Sequence, residues 1–141
     1  MTEKKRVMGF GTFDAVHPGH LFYLRELKKL GDDLTIVIAR DSNVTRIKGK
    51  APYCDECRRM QAVADTGIAD SVVLGDERDF MKVIDTFKPH VLGFGYDQRV
   101  DIEKLKSKYP HIEMVRLEAH EPEKYKSSII KESLSEKTSR L

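Results

Sequence analysis

His17 and His20 stand three residues apart, joined by Pro18-Gly19, at the end of the stretch Gly11-Thr12-Phe13-Asp14-Ala15-Val16-His17-Pro18-Gly19-His20. Two imidazoles held in one turn can stabilise an anionic centre. Their surroundings suggest which anion. Lys5 to Phe10 is a short apolar segment with strand character. Leu21 to Leu30 carries leucines and Phe22 at helical spacing until Gly31 breaks the pattern. The order is strand, tight Gly-containing loop, helix, and the open N–H groups of a helix start make a phosphate site. Such a turn is also common as plain structure, and a single histidine is usually structural. Core packing, however, gives no reason for two histidines joined by Pro-Gly. Residue chemistry alone leaves a phosphate site and a structural turn level.

Other side chains invite the same question. Lys48 and Lys50 follow the second apolar run in Lys-Gly-Lys, where exposed lysines are normally just solvated. Arg58 and Arg59 sit near the start of a helical stretch; one reaching a phosphate and both being surface or ion-paired are equal readings. Asp14 fixes its loop by hydrogen bonds or takes part in chemistry, the first reading being slightly ahead. Gly95-Tyr96-Asp97-Gln98 has turn composition. Ser127 or Ser128, opening a last helix, is an N-cap by default, and the same geometry offers hydroxyl and N–H groups to phosphates. Cys54-x-x-Cys57 at a helix start favours thiolates, but no second cysteine pair exists to complete a zinc site.

The elements that must position these residues alternate. Strands are predicted over 5–10, 33–39, 70–75, 90–95 and 112–117. Helices are predicted over 21–30, 55–64, 79–87, with Phe80, Val83, Ile84 and Phe87 buried, and 101–109. Residues 40–50 form a loop or short helix, and a final helix runs from about Ser127 to Leu134. The run Asp33-Leu34-Thr35-Ile36-Val37-Ile38-Ala39 is typical of a strand covered on both faces. This alternation predicts an α/β doubly wound, Rossmann-like domain with a mostly parallel sheet of five strands, over residues 1–134, followed by a polar tail, 135–141. Ligands bind outside the carboxyl ends of such strands, where Gly11–His20, Arg40 onward and Gly95–Arg99 fall.

The chain has 141 residues and a formal net charge of +2, with acids and bases interspersed, so no basic stripe suggests a nucleic-acid partner. No apolar run reaches membrane-spanning length, and the N-terminus lacks a signal-peptide core, which suggests a cytoplasmic protein.

Thr12-Phe13-Asp14 followed by His17-Pro18-Gly19-His20 resembles the HxGH nucleotidyltransferase superfamily, over nearly the whole chain. The resemblance implies that His17 and His20 contact a nucleoside triphosphate and stabilise the transition state. It implies that Lys48 neutralises phosphate charge, that Thr12 and Phe13 lie with hydroxyl and backbone against the phosphates, and that Pro18 and Gly19 belong to the nucleotide site, Gly19 letting the chain approach closely. It also implies that Asp97 meets the ribose or base, that Tyr125 lies against the nucleotide, and that Ser127 and Ser128 serve the β- and γ-phosphates. A divalent cation, Mg2+, is implied with the triphosphate, and homodimers are frequent in the superfamily. Within it, the Gly-Tyr-Asp-Gln segment is similar to that of archaeal FAD synthases, which join AMP from ATP to FMN. Glu123-Lys124-Tyr125 stands where cytidylyltransferases have an Arg-Thr pair with a glycine upstream. Glycerol-3-phosphate cytidylyltransferase and pantetheine-phosphate adenylyltransferase are the alternative activities. A nucleotide-binding sensor without turnover is the alternative of another class, and the intact histidines argue against it.

Overall fold

The computed structural model describes residues 4–79, 81–95, 98 and 100–117. Strands β1 (Arg6–Gly11), β2 (Asp33–Ile38), β3 (Ser71–Leu74), β4 (Val91–Phe94) and β5 (Glu113–Arg116) form one sheet in the order β3-β2-β1-β4-β5, and every neighbouring pair is parallel. Between them lie α1 (Pro18–Lys28), α2 (Asp41–Lys48), α3 (Glu56–Asp65), α4 (Lys82–Phe87) and α5 (Ile102–Lys108). The chain starts in the middle of the sheet, winds out to β3, and returns to wind the other way. The strand order therefore reverses between β1 and β4. This is the doubly wound α/β architecture expected from the alternation.

Period-2 alternation divides the strand residues between two apolar layers. Val7, Leu34, Ile36, Ile38 and Val91 face Leu24 and Leu27 of α1 and Val63 of α3. Met8, Phe10, Val37, Leu92 and Phe94 face Val83 and Ile84 of α4 and Leu105 of α5. β2 is buried on both faces, as its continuous apolar run requires.

Two glycines set how closely α1 approaches. Gly9 and Gly93 are register partners, and a Cβ on either would lie 2.4 Å or 2.0 Å from a methyl of Leu27. Their missing side chains form a notch that seats α1 on β1 and β4. Beyond this pair the two strands part. The Tyr23 hydroxyl donates to the Gly93 carbonyl at 2.9 Å and accepts from the Phe10 N–H at 3.2 Å. Gln98 Nε2 donates to the Phe10 carbonyl at 2.7 Å. Side chains thus satisfy backbone groups that the ladder abandons at the point where the strand order reverses, the place where sheets of this kind form a ligand crevice.

Two helix starts differ from expectation, and the choice left open over 40–50, loop or short helix, is settled as a helix. The first helix starts at Pro18 rather than Leu21, because proline's fixed φ suits the first helical position and the histidines cap it. Residues 41–48 are a helix, closed by Gly49 at φ 82°. α4 begins at Lys82 rather than Asp79, because the Asp76 carboxylate accepts from the N–H groups of Arg78 and Asp79 and holds them in a turn. Phe87, expected in the buried stripe of α4, is 38% exposed because it ends the helix and only Val83 and Ile84 turn into the core. The expected final helix, the tail and Phe80 lie outside the described residues. No described helix is long and apolar enough to cross a membrane.

Candidate active site

The histidine turn is a cap made of imidazoles. His17 is the N-cap of α1 in extended conformation, and its Nδ1 accepts from the Gly19 N–H at 3.1 Å. His20, one turn on, accepts from the His17 N–H through its own Nδ1 at 3.3 Å. The rings stack with centroids 3.8 Å apart. This corrects the expectation of a helix start with open N–H groups. Pro18 has none, and that of Gly19 is taken. What the turn offers instead is imidazole: with each Nδ1 accepting, a neutral ring carries its proton on Nε2. Burial, then the neighbouring His17 charge, pull His20 from 6.5 down to about 3; the Ala15 carbonyl opposes and the Lys48 ammonium adds to the fall. His20 is therefore neutral at physiological pH in the free protein, while His17 is exposed.

Gly19 was expected to let the chain approach a ligand. The space its missing side chain leaves is instead occupied by the His17 ring, whose Cε1 would lie 2.9 Å from a Cβ there. Phe13 adopts φ 52°, a left-handed conformation that costs an aromatic residue about 1–2 kcal/mol. Its ring is buried, with its centroid 5.0 Å from that of His20 and 6.3 Å from that of Tyr23. Phe13 thus supports His20 from below, and only its backbone can face a ligand.

Behind the turn lies Arg59, whose side chain is fully buried. Its Nε donates to the Cys54 carbonyl at 3.0 Å, one terminal nitrogen to the Thr12 carbonyl at 2.8 Å, and the other to Asp41 Oδ1 at 2.7 Å. Asp41 and Glu56 exchange bonds: each backbone N–H donates to the other's carboxylate, at 2.8 Å and 3.2 Å. One guanidinium therefore ties the β1–α1 loop to the starts of α2 and α3. Of the two readings of the arginine pair, Arg59 takes the ion-paired one, and Arg58 is exposed. Helix phase carried the signal: Arg59 lies four residues before the buried Val63, on the same face of α3.

Asp14 has the structural role slightly favoured for it. Its Oδ2 accepts from the Tyr53 N–H at 2.9 Å and its Oδ1 from the Cys54 N–H at 2.8 Å. Burial pushes its carboxyl up. The two N–H groups, then the charges of Arg59 and Lys48, pull it further down, so it ends below its ordinary value. Lys48, the exposed last residue of α2, is near enough for its ammonium to be felt at both Asp14 and His20. The fold thus brings Lys48 to the turn that holds Thr12, Phe13, His17, Pro18, Gly19 and His20.

Asp97, Tyr125, Ser127 and Ser128 lie outside the described residues. Gly95 and Gln98, on either side of Asp97, are fastened at the crevice. Gln98 Oε1 accepts from the Gly95 N–H at 2.8 Å, and Arg116 donates to the carbonyls of Gly95 and Gln98 at 2.9 Å and 2.7 Å. Cys54 and Cys57 are free thiols. Among the described residues no group of three His, Cys, Asp or Glu side chains could hold a metal ion.

The cytidylyltransferase-like family model matches residues 8–133. An FAD synthase of Thermoplasma volcanium is 38% identical over 135 residues, 93% of this chain and 94% of its own length. An FAD synthase of Archaeoglobus profundus is 42% identical over 142 residues, 96% of this chain and 90% of its own. The crystal structure of a protein from Thermoplasma volcanium, described as the lipopolysaccharide core biosynthesis protein, superposes with a TM-score of 0.79 at 39% identity, over 84% of this chain and all of that one. The similarity spans the histidine turn, the Arg59 tie and both flanks of the crevice, so the chain belongs to the cytidylyltransferase-like family.

Proposed function

We infer that the protein is an FAD synthase, a nucleotidyltransferase that moves AMP from ATP to FMN and releases pyrophosphate. The observation that carries nucleotidyl transfer is the reciprocal histidine cap, which puts two Nε2 donors where the sheet order reverses. The choice of FMN is supported by the relatives' activity and by the Gly-Tyr-Asp-Gln segment.

A phosphate oxygen of FMN attacks the α-phosphorus of ATP. One P–O bond forms as the bond to the bridging oxygen of the β-phosphate breaks, and pyrophosphate leaves with the electron pair. Both oxygens belong to acidic groups, so no strong base is required; the task is to hold a crowded polyanion in line and meet its transition-state charge. His17 and His20 donate from Nε2 to the triphosphate, and Lys48 neutralises charge. The Thr12 hydroxyl, the Phe13 backbone and the Pro18-Gly19 turn line the phosphates. Asp97 meets the ribose or base, Tyr125 lies against the nucleotide, and Ser127 and Ser128 serve the β- and γ-phosphates. Mg2+ comes with the triphosphate as part of the substrate and bridges its phosphates. In this reading the enzyme works in the cytoplasm, handles no nucleic acid, and forms a homodimer if it assembles.

The Thermoplasma volcanium structure carries a different description, so the acceptor is the part to test. Pyrophosphate release is measured with Mg2+, ATP or CTP, and in turn FMN, glycerol 3-phosphate and 4′-phosphopantetheine. Release with ATP and FMN alone is expected. Release only with CTP and glycerol 3-phosphate would transfer the enzyme to the other activity, and silence with every pair would leave only a nucleotide-binding protein.

A further inference from the structure

Two large apolar side chains near the histidine turn stand in solvent: Tyr53 is 96% exposed and Ile47 77%. Tyr53 borders a cavity of about 240 Å³. Val44, Ala51 and Pro52 give it an apolar wall, Lys48 and Lys50 a cationic rim, and Asp14 joins it to the motif loop. Neither lysine has an ion-pair partner among the described residues. The backbone of Tyr53 is held by the Asp14 carboxylate, so the exposed ring hangs from a fixed point.

We propose that Tyr53 is the stacking platform for the flavin ring of the acceptor, with Lys48 and Lys50 receiving its phosphate and Asp14 positioning the platform. The proposal rests on the reading of FMN as acceptor and names the side of the site that takes it. A flat tricycle with a polar rim and a phosphomonoester needs an aromatic face, an apolar wall and cations, and this cavity supplies all three. Its position favours the acceptor over adenine. The cavity lies beside α2 and the α2–α3 connection, on the β2 side of β1, whereas the Gly95–Gln98 segment assigned to the nucleoside lies at β4, on the other side of β1. In-line displacement sets the acceptor oxygen opposite the departing pyrophosphate across the α-phosphorus, with the ribose oxygen to one side, so the acceptor must enter by a route the nucleoside does not fill.

The test uses quenching of flavin fluorescence, which reports FMN binding without turnover, together with KM for FMN and for ATP. The proteins are the wild type, Tyr53→Ala and Tyr53→Phe; the ring touches little but solvent, so both variants fold. Aromatic stacking of this kind corresponds to roughly 5- to 150-fold in affinity. Tyr53→Ala is expected to weaken FMN by that factor and leave KM for ATP within about twofold, whereas Tyr53→Phe stays near wild type. Unchanged FMN binding by a Tyr53→Ala enzyme that still makes FAD overturns the platform and leaves FAD synthesis standing. A rise in KM for ATP with FMN unmoved puts adenine on the ring and also overturns it. A wild-type protein that neither binds FMN nor makes FAD overturns both the platform and the function beneath it.

Discussion

Replacing Arg59 with methionine tests whether the guanidinium is a tie or a ligand. The methionine stem refills most of the volume, so the loss is mainly polar. The carbonyls of Thr12 and Cys54 lose donors at 2.8 Å and 3.0 Å in a place the arginine had filled. Each part-buried acceptor left unsatisfied costs about 1–3 kcal/mol. The Asp41 side chain is 38% exposed and can rehydrate, so its lost partner adds less than a fully buried pair would. The total comes to ~3–5 kcal/mol, a large share of the ~5–15 kcal/mol that holds a typical domain together. Urea unfolding of wild type, Arg59→Met, Arg59→Lys and Arg58→Met measures it. Arg59→Met should lose that amount, and Arg59→Lys most of it, because an ammonium cannot span three acceptors in a plane. Exposed Arg58→Met should change stability by under ~0.5 kcal/mol. A loss below ~1 kcal/mol in Arg59→Met, with KM for ATP raised more than about tenfold, would refute the argument and place the guanidinium on the nucleotide.

Three further outcomes are expected. His17→Asn and His20→Asn keep a short acceptor for capping and lose the Nε2 donor; each should lower kcat about 100-fold or more while KM for ATP moves much less, and unchanged turnover would remove the histidines from the mechanism. The free protein should lose stability on acidification because the folded value of His20, about 3, lies below its unfolded 6.5. The stability is complete above the unfolded value and is lost as pH falls toward the folded one. By about pH 5 this amounts to ~2 kcal/mol, and the urea-derived slope against pH should flatten in His20→Asn; equal slopes would show that His20 protonates freely. Gly9→Ala should cost about 1–3 kcal/mol because its Cβ would lie 2.4 Å from Leu27 Cδ1, and in a Leu27→Ala background the cost should shrink to what the tight contacts with the Tyr23 hydroxyl and Ile36 leave; additive costs would mean the notch does not seat α1.

Strand and helix order was legible because burial on two faces writes itself into periodicity: β2 is apolar throughout, and α4 and α5 carry spaced anchors. Boundaries were less so, since they depend on which side chain takes an end N–H. Asp76 delays α4 and the histidines advance α1, and both are local hydrogen bonds that composition does not report. The site was legible where types are rare, as in the histidine pair, and illegible where the same type has two fates. Arg58 and Arg59 are adjacent and chemically identical, and only helix phase separates a solvated side chain from a buried one. Tyr53 was missed for a related reason. Its backbone is fixed by Asp14, 39 positions away in the chain, and no local pattern announces that partnership.

The geometry also explains why the histidines are joined by Pro-Gly. A helix begun by an imidazole cap needs a first residue without a competing N–H and a second without a side chain, because the N-cap ring folds over that position. Proline and glycine meet those two demands in that order. Both Nδ1 atoms accept from the backbone, so a neutral ring carries its proton on Nε2, the atom that turns toward an acceptor. Starting the helix and donating to an anion therefore fall on the same two side chains. Aligning the donors requires no further structure, because the helix cap already holds each ring by its other nitrogen. The burial that keeps His20 uncharged in the free protein also means that a polyanion at the turn would meet a neutral donor, so the added positive charge near it comes from Lys48.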